Sequence, residues 1–246
     1  MSTLFIFKAL KSHIMEENST SCFRFGVIIK CKHCNEKNCI KNGKTSNNKQ
    51  QYKCKDCQKR FVLDYTYQAY NSGINQQIIV LTKEGLGIRS TARVLNISTT
   101  TLLKRIVSIA QNIPQPVISK GRIYEVDEIC TFLKRKSRKI WIVYALERVT
   151  KSVVSFYVGR RTNKTLNVVL KTLRFAEAKH IFTDGLKNYK YLISKAVHKV
   201  KQYATNHIER NNLTLRIRLK RLNRRTICFS RSISVLAAIL RIYFWI

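Results

Sequence analysis

Apolar residues recur at helical spacing between residues 74 and 112, and this pattern predicts three short helices. Gly85 and Gly87 follow the apolar face of the first helix and end it. A second helix is predicted over residues 89–95, and a third begins after Ser98, which is positioned to cap its first turn. The buried faces are formed by Ile74, Ile78, Ile79 and Leu81 in the first helix and by Leu102, Leu103, Ile106 and Ile109 in the third.

This arrangement favours a helix-turn-helix domain over residues 73–112. The second helix contains the small residue Ala92, and only a short turn separates it from the third helix, as in trihelical DNA-binding domains. The alternative is an ordinary helical bundle, because the motif is degenerate. On the DNA-binding interpretation, the residues that face the groove are Thr99, Thr100, Lys104 and Arg105.

The two prolines of the chain, Pro114 and Pro116, mark a predicted linker over residues 113–120, because proline disfavours continuation of a helix. Beyond the linker the pattern predicts strands over residues 122–128, 140–146 and 153–158. A helix over 165–175, a strand over 180–183 and helices over 186–194 and from 207 onward follow. This order predicts an α/β domain over residues 121–246, with a ribonuclease-H-like sheet and helices on both faces.

The net charge of the chain bears on the function that we expect, and it does not alter the predicted fold. The 246 residues include 47 Lys and Arg but only 13 Asp and Glu, for a formal net charge of +34. This charge excludes an ordinary metabolic enzyme. Such a chain repels itself when compact, so we expect a polyanionic partner, and nucleic acid is the polyanion that the charge favours. A hydrophobic content of 45% excludes a disordered basic tail.

Neither apolar run predicts export or membrane insertion. Lys8 interrupts the short run over residues 4–10, and no small-residue cleavage site follows it. The run over residues 233–246 contains Arg241 and is shorter than the roughly 20 residues that a spanning helix needs. We therefore expect a cytoplasmic, nucleoid-associated protein. Residues 1–29 lack any motif and are expected to be a poorly ordered extension, with Met15 as an alternative start.

Two CxxC pairs predict a structural Zn²⁺ site in a module over residues 30–63. Cys31 pairs with Cys34 and Cys54 with Cys57, and two intervening residues let one tight turn present both sulfurs to one ion. Four thiolates leave no open coordination position, so this site is structural. The basic residues around it can follow DNA phosphates. Other candidates are His33 and Cys39 as alternative ligands, whereas Cys22, Cys130 and Cys228 have no partner in the sequence.

Three carboxylates in the α/β region are candidate ligands of a catalytic metal. Asp127 falls in the first predicted strand, Asp184 directly follows the strand over 180–183, and Glu209 lies in the first turn of the helix from residue 207. Glu209 is the only acid in residues 185–246. Carboxylate oxygens suit Mg²⁺, and two such ions can promote phosphodiester chemistry.

Each of these residues has an alternative interpretation. Glu209 could be a favourable charge at a helix N-terminus, and Asp184, which precedes a glycine, could be a turn residue. Glu125 and Glu128 compete with Asp127 for the first ligand position. Strand alternation places Glu125 on the same face as Asp127 and Glu128 on the other.

These motifs resemble those of transposases of the insertion-sequence-one family. Besides the CxxC pairs, the matching segments are CIKNGK at 39–44, YEVDE at 124–128, WIVYAL at 141–146, VGRRTNK at 158–164, FTDG at 182–185, TNHIERN at 205–211 and LKRLNRRT at 219–226. The resemblance extends from about residue 30 to the C-terminus. It identifies Asp127, Asp184 and Glu209 as a DDE triad that binds Mg²⁺ or Mn²⁺. It also implies that Arg216 meets DNA, with Arg218 and Lys220 as competitors for that role.

The resemblance implies the transposase of a bacterial insertion sequence. Such an enzyme binds the terminal inverted repeats of its element through the zinc knuckle and the helix-turn-helix. It cleaves DNA with a metal-activated water and joins the exposed 3′ hydroxyl to target DNA, with no covalent protein intermediate. A homo-oligomer is expected because two ends must be brought together. The competing hypotheses are a zinc-dependent DNA-binding regulator, a general nucleoid packing protein and an inactive transposase copy.

Overall fold

The structure is a computed structural model that describes residues 29–63, 67–201 and 203–246. The described chain divides near residue 65 into two units. The predictions for residues 1–28, including the one for Cys22, lie outside the described residues.

The first unit is a three-stranded antiparallel sheet of β1 (Cys39–Lys44), β2 (Gln50–Cys54) and β3 (Arg60–Val62), in that order. In its core Tyr52 stacks on Phe61 with 5.9 Å between ring centroids, and the other buried side chains are Cys31 and Cys54. A core of this size needs an additional crosslink to stabilise it.

The second unit begins with helices that confirm the predicted pattern. After a 3-10 turn over Gln68–Tyr70 come α1 (Ile74–Lys83), α2 (Ile88–Val94) and α3 (Thr99–Asn112). Ser98 caps α3 as expected, because its Oγ accepts a hydrogen bond from the backbone N–H of Thr101 at 3.0 Å. Gly85 follows α1 with a φ of +76°, and a Cβ at this position would lie 2.0 Å from the carbonyl oxygen of Arg218. Only glycine therefore fits at position 85.

A mixed five-stranded sheet forms the centre of the second unit. Its strands are β4 (Ile123–Leu133), β5 (Arg135–Glu147), β6 (Val153–Gly159), β7 (His180–Thr183) and β8 (His198–Lys199), in the spatial order β6-β5-β4-β7-β8. The first three pair antiparallel, and β7 and β8 run parallel to β4. This mixed α/β architecture confirms the expected fold class at the level of element order.

Helices cover both faces of this sheet. On one face α4 (Asn163–Phe175) and α5 (Lys187–Leu192) pack over Val126 and Val143. On the other, α6 (Asn206–Arg218) and α7 (Ile233–Trp245) pack over Ile129 and Ile142. Alternate residues of β4 and β5 thus enter opposite cores, which explains why these strands are hydrophobic on both faces.

Helix α7 accounts for the apolar run near the end of the sequence. It lies between α3 and the sheet, where Trp245 Nε1 donates to the carbonyl of Val153 at 2.8 Å and Arg241 donates to the carbonyl of Ile113 at 2.6 Å. Its residues share one hydrophobic core with α1, α3 and the sheet. No helix in the described part of the chain is long and apolar enough to cross a membrane.

The hairpin formed by β4 and β5 is longer than the sequence pattern predicts. The pattern predicts strands over residues 122–128 and 140–146, yet β4 continues to Leu133 and β5 begins at Arg135. The segment after α6 supports this extension, because the backbone N–H of Lys134 donates to the carbonyl of Ser230 at 2.8 Å. A long-range hydrogen bond of this kind leaves no signal in local hydrophobicity.

Candidate active site

Asp127 and Asp184 lie side by side where the parallel pairing of β4 with β7 ends. β4 and β7 pair Val126 with Thr183, so the next residue of each chain segment is an aspartate. Carboxylate oxygens of Asp127, Glu128 and Asp184 all lie within 4.8 Å of one another. This acidic cluster offers the oxygen ligands that Mg²⁺ and Mn²⁺ prefer.

The electrostatics of the acidic cluster favour a bound cation. Burial raises the pKa of Asp127 to about 6, and the negative charges of Glu128 and Asp184 add to this rise. The Asp127 carboxylate accepts hydrogen bonds from the Glu128 backbone N–H at 2.7 Å and from the Asn212 amide at 2.6 Å. These two bonds leave further lone pairs on the carboxylate for a metal.

Glu128 belongs to the acidic cluster but is bound from the opposite face of the sheet. Its buried carboxylate accepts hydrogen bonds from the Tyr189 hydroxyl and from Arg161, the latter at 3.1 Å. Arg161 in turn lies over the ring of Trp141, 4.5 Å from its centroid. Burial raises the pKa of Glu128, and Arg161 and Tyr189 oppose that rise. Glu128 was predicted as a rival of Asp127 for the first ligand position, and the structure places both in one cluster.

Helix α6 is connected to the acidic cluster through Asn212. While its Nδ2 donates to Asp127, its Oδ1 accepts from the hydroxyl of Tyr144 at 2.6 Å. Tyr144 is fully buried, and its hydroxyl oxygen also lies 3.1 Å from the carbonyl oxygen of Ile208. Sequence reasoning missed both Asn212 and Tyr144, because neither side chain is charged and their partners are distant in sequence.

Glu125 anchors the first turn of α6. Its fully buried carboxylate accepts from the backbone N–H of Ile208 at 2.9 Å and lies 2.7 Å from His207 Nδ1 and 3.4 Å from Arg148 Nε. The prediction that Glu125 and Asp127 share a face of the strand is confirmed, because both contact α6. Glu125 lies outside the acidic cluster and supplies the cap that Thr205 does not.

Glu209 is not brought into the acidic cluster of the described chain. It is exposed, and its Oε1 accepts from the hydroxyl of Thr205 at 2.8 Å. It nevertheless lies three residues before Asn212, and residues at that spacing are neighbours on a helix surface. Asp184 also makes a turn contact, because its Oδ1 accepts from the Leu186 N–H at 3.1 Å.

The predicted DNA-contacting residues differ in their surroundings. Thr99, Thr100 and Lys104 are exposed at the start of α3. Arg105 is half-buried and donates to Asn75 Oδ1 at 2.9 Å and to the carbonyl of Ala69, so it ties α3 to α1 and the preceding turn. Arg216 is half-buried as well and donates to the carbonyl of Leu222 at 2.9 Å, whereas its competitors Arg218 and Lys220 are exposed.

A second metal-competent group lies in the first unit. The sulfurs of Cys31, Cys34, Cys54 and Cys57 lie within 4.8 Å of one another, with 3.6 Å between Cys31 and Cys57 and 3.6 Å between Cys34 and Cys54. Tetrahedral Zn–S bonds of 2.3 Å require sulfurs about 3.8 Å apart, so this group fits Zn²⁺. Cys39 is not in the group, and its thiol donates to the carbonyl of Glu36 at 3.7 Å.

Hydrogen bonds favour the thiolate form of Cys31. Burial by itself raises the pKa of its thiol, but backbone N–H groups of Cys34 and His33 outweigh this and lower the pKa to about 6. Zinc ligation requires deprotonated thiols. His33 contacts Cys31 through its backbone, because its backbone N–H donates to the Cys31 sulfur at 3.4 Å.

Comparison with known proteins gives matches to two family models. The model described as "IS1 transposase", of the DDE type, matches residues 122–246, and the helix-turn-helix model described as "InsA C-terminal domain" matches residues 65–108. The first spans all three candidate carboxylates, and the second spans α1 and α2 and most of α3.

Individual relatives agree with the family models. The chain is 39% identical over 113 residues to insertion element iso-IS1n protein InsB of Shigella dysenteriae, covering 46% of this chain and 86% of the relative. It is 36% identical over 111 residues to insertion element IS1 protein InsB of Shigella flexneri, covering 45% and 85%. A chain of the simian T-cell lymphotropic virus intasome in complex with PP2A regulatory subunit B56 gamma aligns over 66% of both chains. Its TM-score of 0.34 and identity of 17% are too low to assign a fold.

Proposed function

The chain belongs to the IS1 transposase family, and from this we propose that Asp127, Asp184 and Glu209 hold the divalent cations of a DDE transposase, Mg²⁺ or Mn²⁺. The observation that carries the proposal is the side-by-side placement of Asp127 and Asp184 across the parallel strands β4 and β7. When bound, two such ions activate the attacking oxygen of a phosphodiester exchange and stabilise the leaving one.

The remaining residues of the site position this ligand set. Asn212 fixes one oxygen of Asp127, and Tyr144 fixes Asn212. Glu125 holds the first turn of α6, from which Glu209 projects. Arg161 balances the charge of Glu128, so the acidic cluster is less repulsive than three unpaired carboxylates would be. These contacts thus preorganise Asp127 and the acidic cluster before the metal or DNA binds.

The proposed reaction has two stages. The enzyme cleaves DNA at the ends of an insertion sequence to expose 3′ hydroxyls, and each hydroxyl then attacks target DNA. The proposed catalytic fold is ribonuclease-H-like, which is supported by the strand order β6-β5-β4-β7-β8 with three antiparallel strands followed by two parallel ones. Residues 121–246 form this catalytic domain in the proposal.

Recognition of the terminal inverted repeats is assigned to the parts that precede the catalytic domain. In the proposal, residues 73–112 contact the groove through Thr99, Thr100 and Lys104, and Arg105 holds α3 in place. The basic surface of the zinc knuckle over residues 30–63 contacts DNA phosphates. Residues 113–120 link the helix-turn-helix domain to the catalytic domain. Arg216, seven residues after Glu209 in the sequence, contacts DNA in the proposal. A homo-oligomer in the nucleoid brings the two ends together.

Cleavage of end-labelled DNA tests the proposal. Purified protein is incubated with duplexes from both ends of its own element, with Mg²⁺ or Mn²⁺, beside Asp127→Ala, Asp184→Ala and Glu209→Ala. Glu177→Ala is the matched control, because the Glu177 side chain is exposed and its ion pair is with Lys120, which is exposed as well. Loss of metal-dependent nicking and joining in the three variants but not in the control supports the triad. Unchanged cleavage by any of the three rejects that residue.

One observation favours a competing function. Glu209 binds Thr205 and lies outside the acidic cluster, as it would in a zinc-dependent regulator or an inactive copy with inert carboxylates. Wild-type protein that binds the element ends but does not cut them with either metal would establish this alternative.

A further inference from the structure

A two-stranded ribbon extends from the central sheet beyond the acidic cluster. The pairing of β4 with β7 ends at Val126, and the pairing of β5 with β6 begins at Trp141. Between these points, β4 and β5 pair with each other. We call residues 131–140, where β4 and β5 pair only with each other in the described sheet, the basic ribbon.

The tip of the basic ribbon carries a dense positive charge. All six residues from 134 to 139 are exposed, and five of them are basic, namely Lys134, Arg135, Lys136, Arg138 and Lys139. None of the ion pairs within the described chain involves these five side chains. Like charges at this density repel one another, so a polyanion bound there would relieve the repulsion.

The basic ribbon is held in a fixed position by the segment that follows α6. Thr131 Oγ1 donates to the carbonyl of Arg221 at 3.0 Å, and the backbone N–H of Lys134 donates to the carbonyl of Ser230 at 2.8 Å. Phe132 meets Phe229 edge to face, with 6.1 Å between centroids. These contacts attach a strand that would otherwise be an open edge, and they make the ribbon a preorganised surface rather than a loose loop.

The strand geometry sets the distance from the tip to Asp127. Leu133 lies six residue steps beyond Asp127 on β4, which at about 3.3 Å per residue is roughly 20 Å. Duplex DNA rises about 3.4 Å per base pair, so this span corresponds to about six base pairs. A duplex whose scissile phosphate lies at the acidic cluster therefore covers the distance to the tip within about six base pairs.

We propose that the basic ribbon binds the phosphate backbone of the DNA being cut, about six base pairs from the scissile phosphate. This inference rests on the proposed function, because it takes the acidic cluster as the position of the cut. Contacts to phosphates hold a duplex in register without reading its sequence. The ribbon thus positions DNA for cleavage, and sequence recognition is left to other parts of the chain.

Salt-dependent binding tests this proposal. The triple variant Arg135→Gln, Lys136→Gln and Arg138→Gln is compared with wild type and with a control of equal charge loss, Lys171→Gln, Lys179→Gln and Lys195→Gln, whose positions are also exposed. Affinity for an end duplex is measured without divalent metal over a series of salt concentrations. Each lost phosphate contact reduces the magnitude of the negative slope of log K against log salt by about 0.9. The slope should therefore become shallower by up to about 2.7 in the ribbon variant and should not change in the control.

Photocrosslinking locates the contact. With p-benzoylphenylalanine in place of Ser137 at the tip, crosslinks should map to the cut duplex about four to eight base pairs from the scissile phosphate. Equal salt slopes in the two triple variants would overturn the proposal, as would crosslinks only to a separate target duplex. Mg²⁺-dependent cleavage by wild type is scored in parallel. Its absence would reject the proposed function but leave the binding and crosslinking results interpretable.

Discussion

Asn212 donates its side-chain amide to Oδ2 of Asp127 across 2.6 Å, although 85 residues separate the two in sequence. This bond joins the first strand of the sheet to the middle of α6, the helix that also carries Glu209. It fixes one oxygen of a carboxylate that is expected to bind metal, and such orienting contacts typically change metal affinity or activity about 10- to 100-fold when they are lost.

We therefore expect Asn212→Ala to slow single-turnover DNA cleavage by about 10- to 100-fold and to raise the Mg²⁺ concentration for half-maximal rate. Asn167→Ala is the control, because Asn167 lies on α4 and its side-chain oxygen accepts a hydrogen bond from Arg174, on the same helix, at 2.6 Å. Equal rates and equal metal dependence in the two variants would show that the Asn212 bond does not orient Asp127.

Protonation of Asp127 should link stability to pH in protein without divalent metal. The native pKa is raised to about 6 from 3.8, so the native state binds more protons than the unfolded state between these values. Stability should therefore fall as pH rises from about 4 to 6 and stay level above that. The reference is Asp127→Asn, which lacks this ionisation.

Urea unfolding followed by tryptophan fluorescence measures this effect, because Trp141 and Trp245 both lie in the second unit. The difference in unfolding free energy between wild type and Asp127→Asn should change by about 1 to 3 kcal/mol across the window. A difference independent of pH would mean that the native pKa of Asp127 is not raised.

Gly85→Ala should destabilise the second unit by at least about 2 kcal/mol, because an added Cβ at a positive φ would collide with backbone. That Cβ would lie 2.0 Å from the Arg218 carbonyl oxygen, and backbone cannot move aside as a flexible side chain can. Gly87→Ala is a close control, since a Cβ there meets nothing within 4 Å. Urea unfolding of both variants gives the comparison, and similar stabilities would contradict the close approach.

Cys54→Ser should abolish stoichiometric zinc binding and unfold the first unit, because its core is too small without the metal crosslink. Cys39→Ser should retain zinc, since Cys39 lies outside the four-sulfur group. Metal analysis and amide NMR spectra of the full chain distinguish the variants. Loss of zinc from both would assign Cys39 as a ligand after all.

Lys104 and Arg105 are adjacent on α3 but should respond differently to substitution. Lys104→Gln should weaken DNA binding and lower its salt slope by about one, with little change in stability. Arg105→Gln should instead cost about 1 to 2 kcal/mol of stability, because it loses bonds to Asn75 and Ala69. Binding titrations and urea unfolding measure the two effects. A stability loss confined to the Lys104 variant would reverse this assignment.

The sequence pattern predicted those features that depend on residues close together in the chain. Helical spacing located α1 to α3, and the Ser98 cap and the strand over 180–183 appear where the sequence indicates them. The family resemblance grouped Asp127 with Asp184, and the parallel pairing of β4 with β7 places the two side by side. The spacing of the CxxC pairs predicted the sulfur group of the first unit.

Other features depend on contacts between distant segments. The roles of Asn212 and Glu125 follow from the packing of α6 on β4, which no pattern within either segment reveals. The length of the basic ribbon depends on its bond to Ser230. Glu209 was assigned by family resemblance, and its proposed role as a ligand awaits the cleavage experiment.

The position of α7 has a consequence for how a cut site is chosen. This helix shares one apolar core with the helix-turn-helix and with the sheet that carries the acidic cluster, so those two parts cannot slide past each other without breaking that core. Such packing holds the helix-turn-helix at a fixed distance from the acidic cluster. If the helix-turn-helix binds the repeat and the acidic cluster cuts, as proposed, we expect this packing to set the number of base pairs between the repeat and the cut.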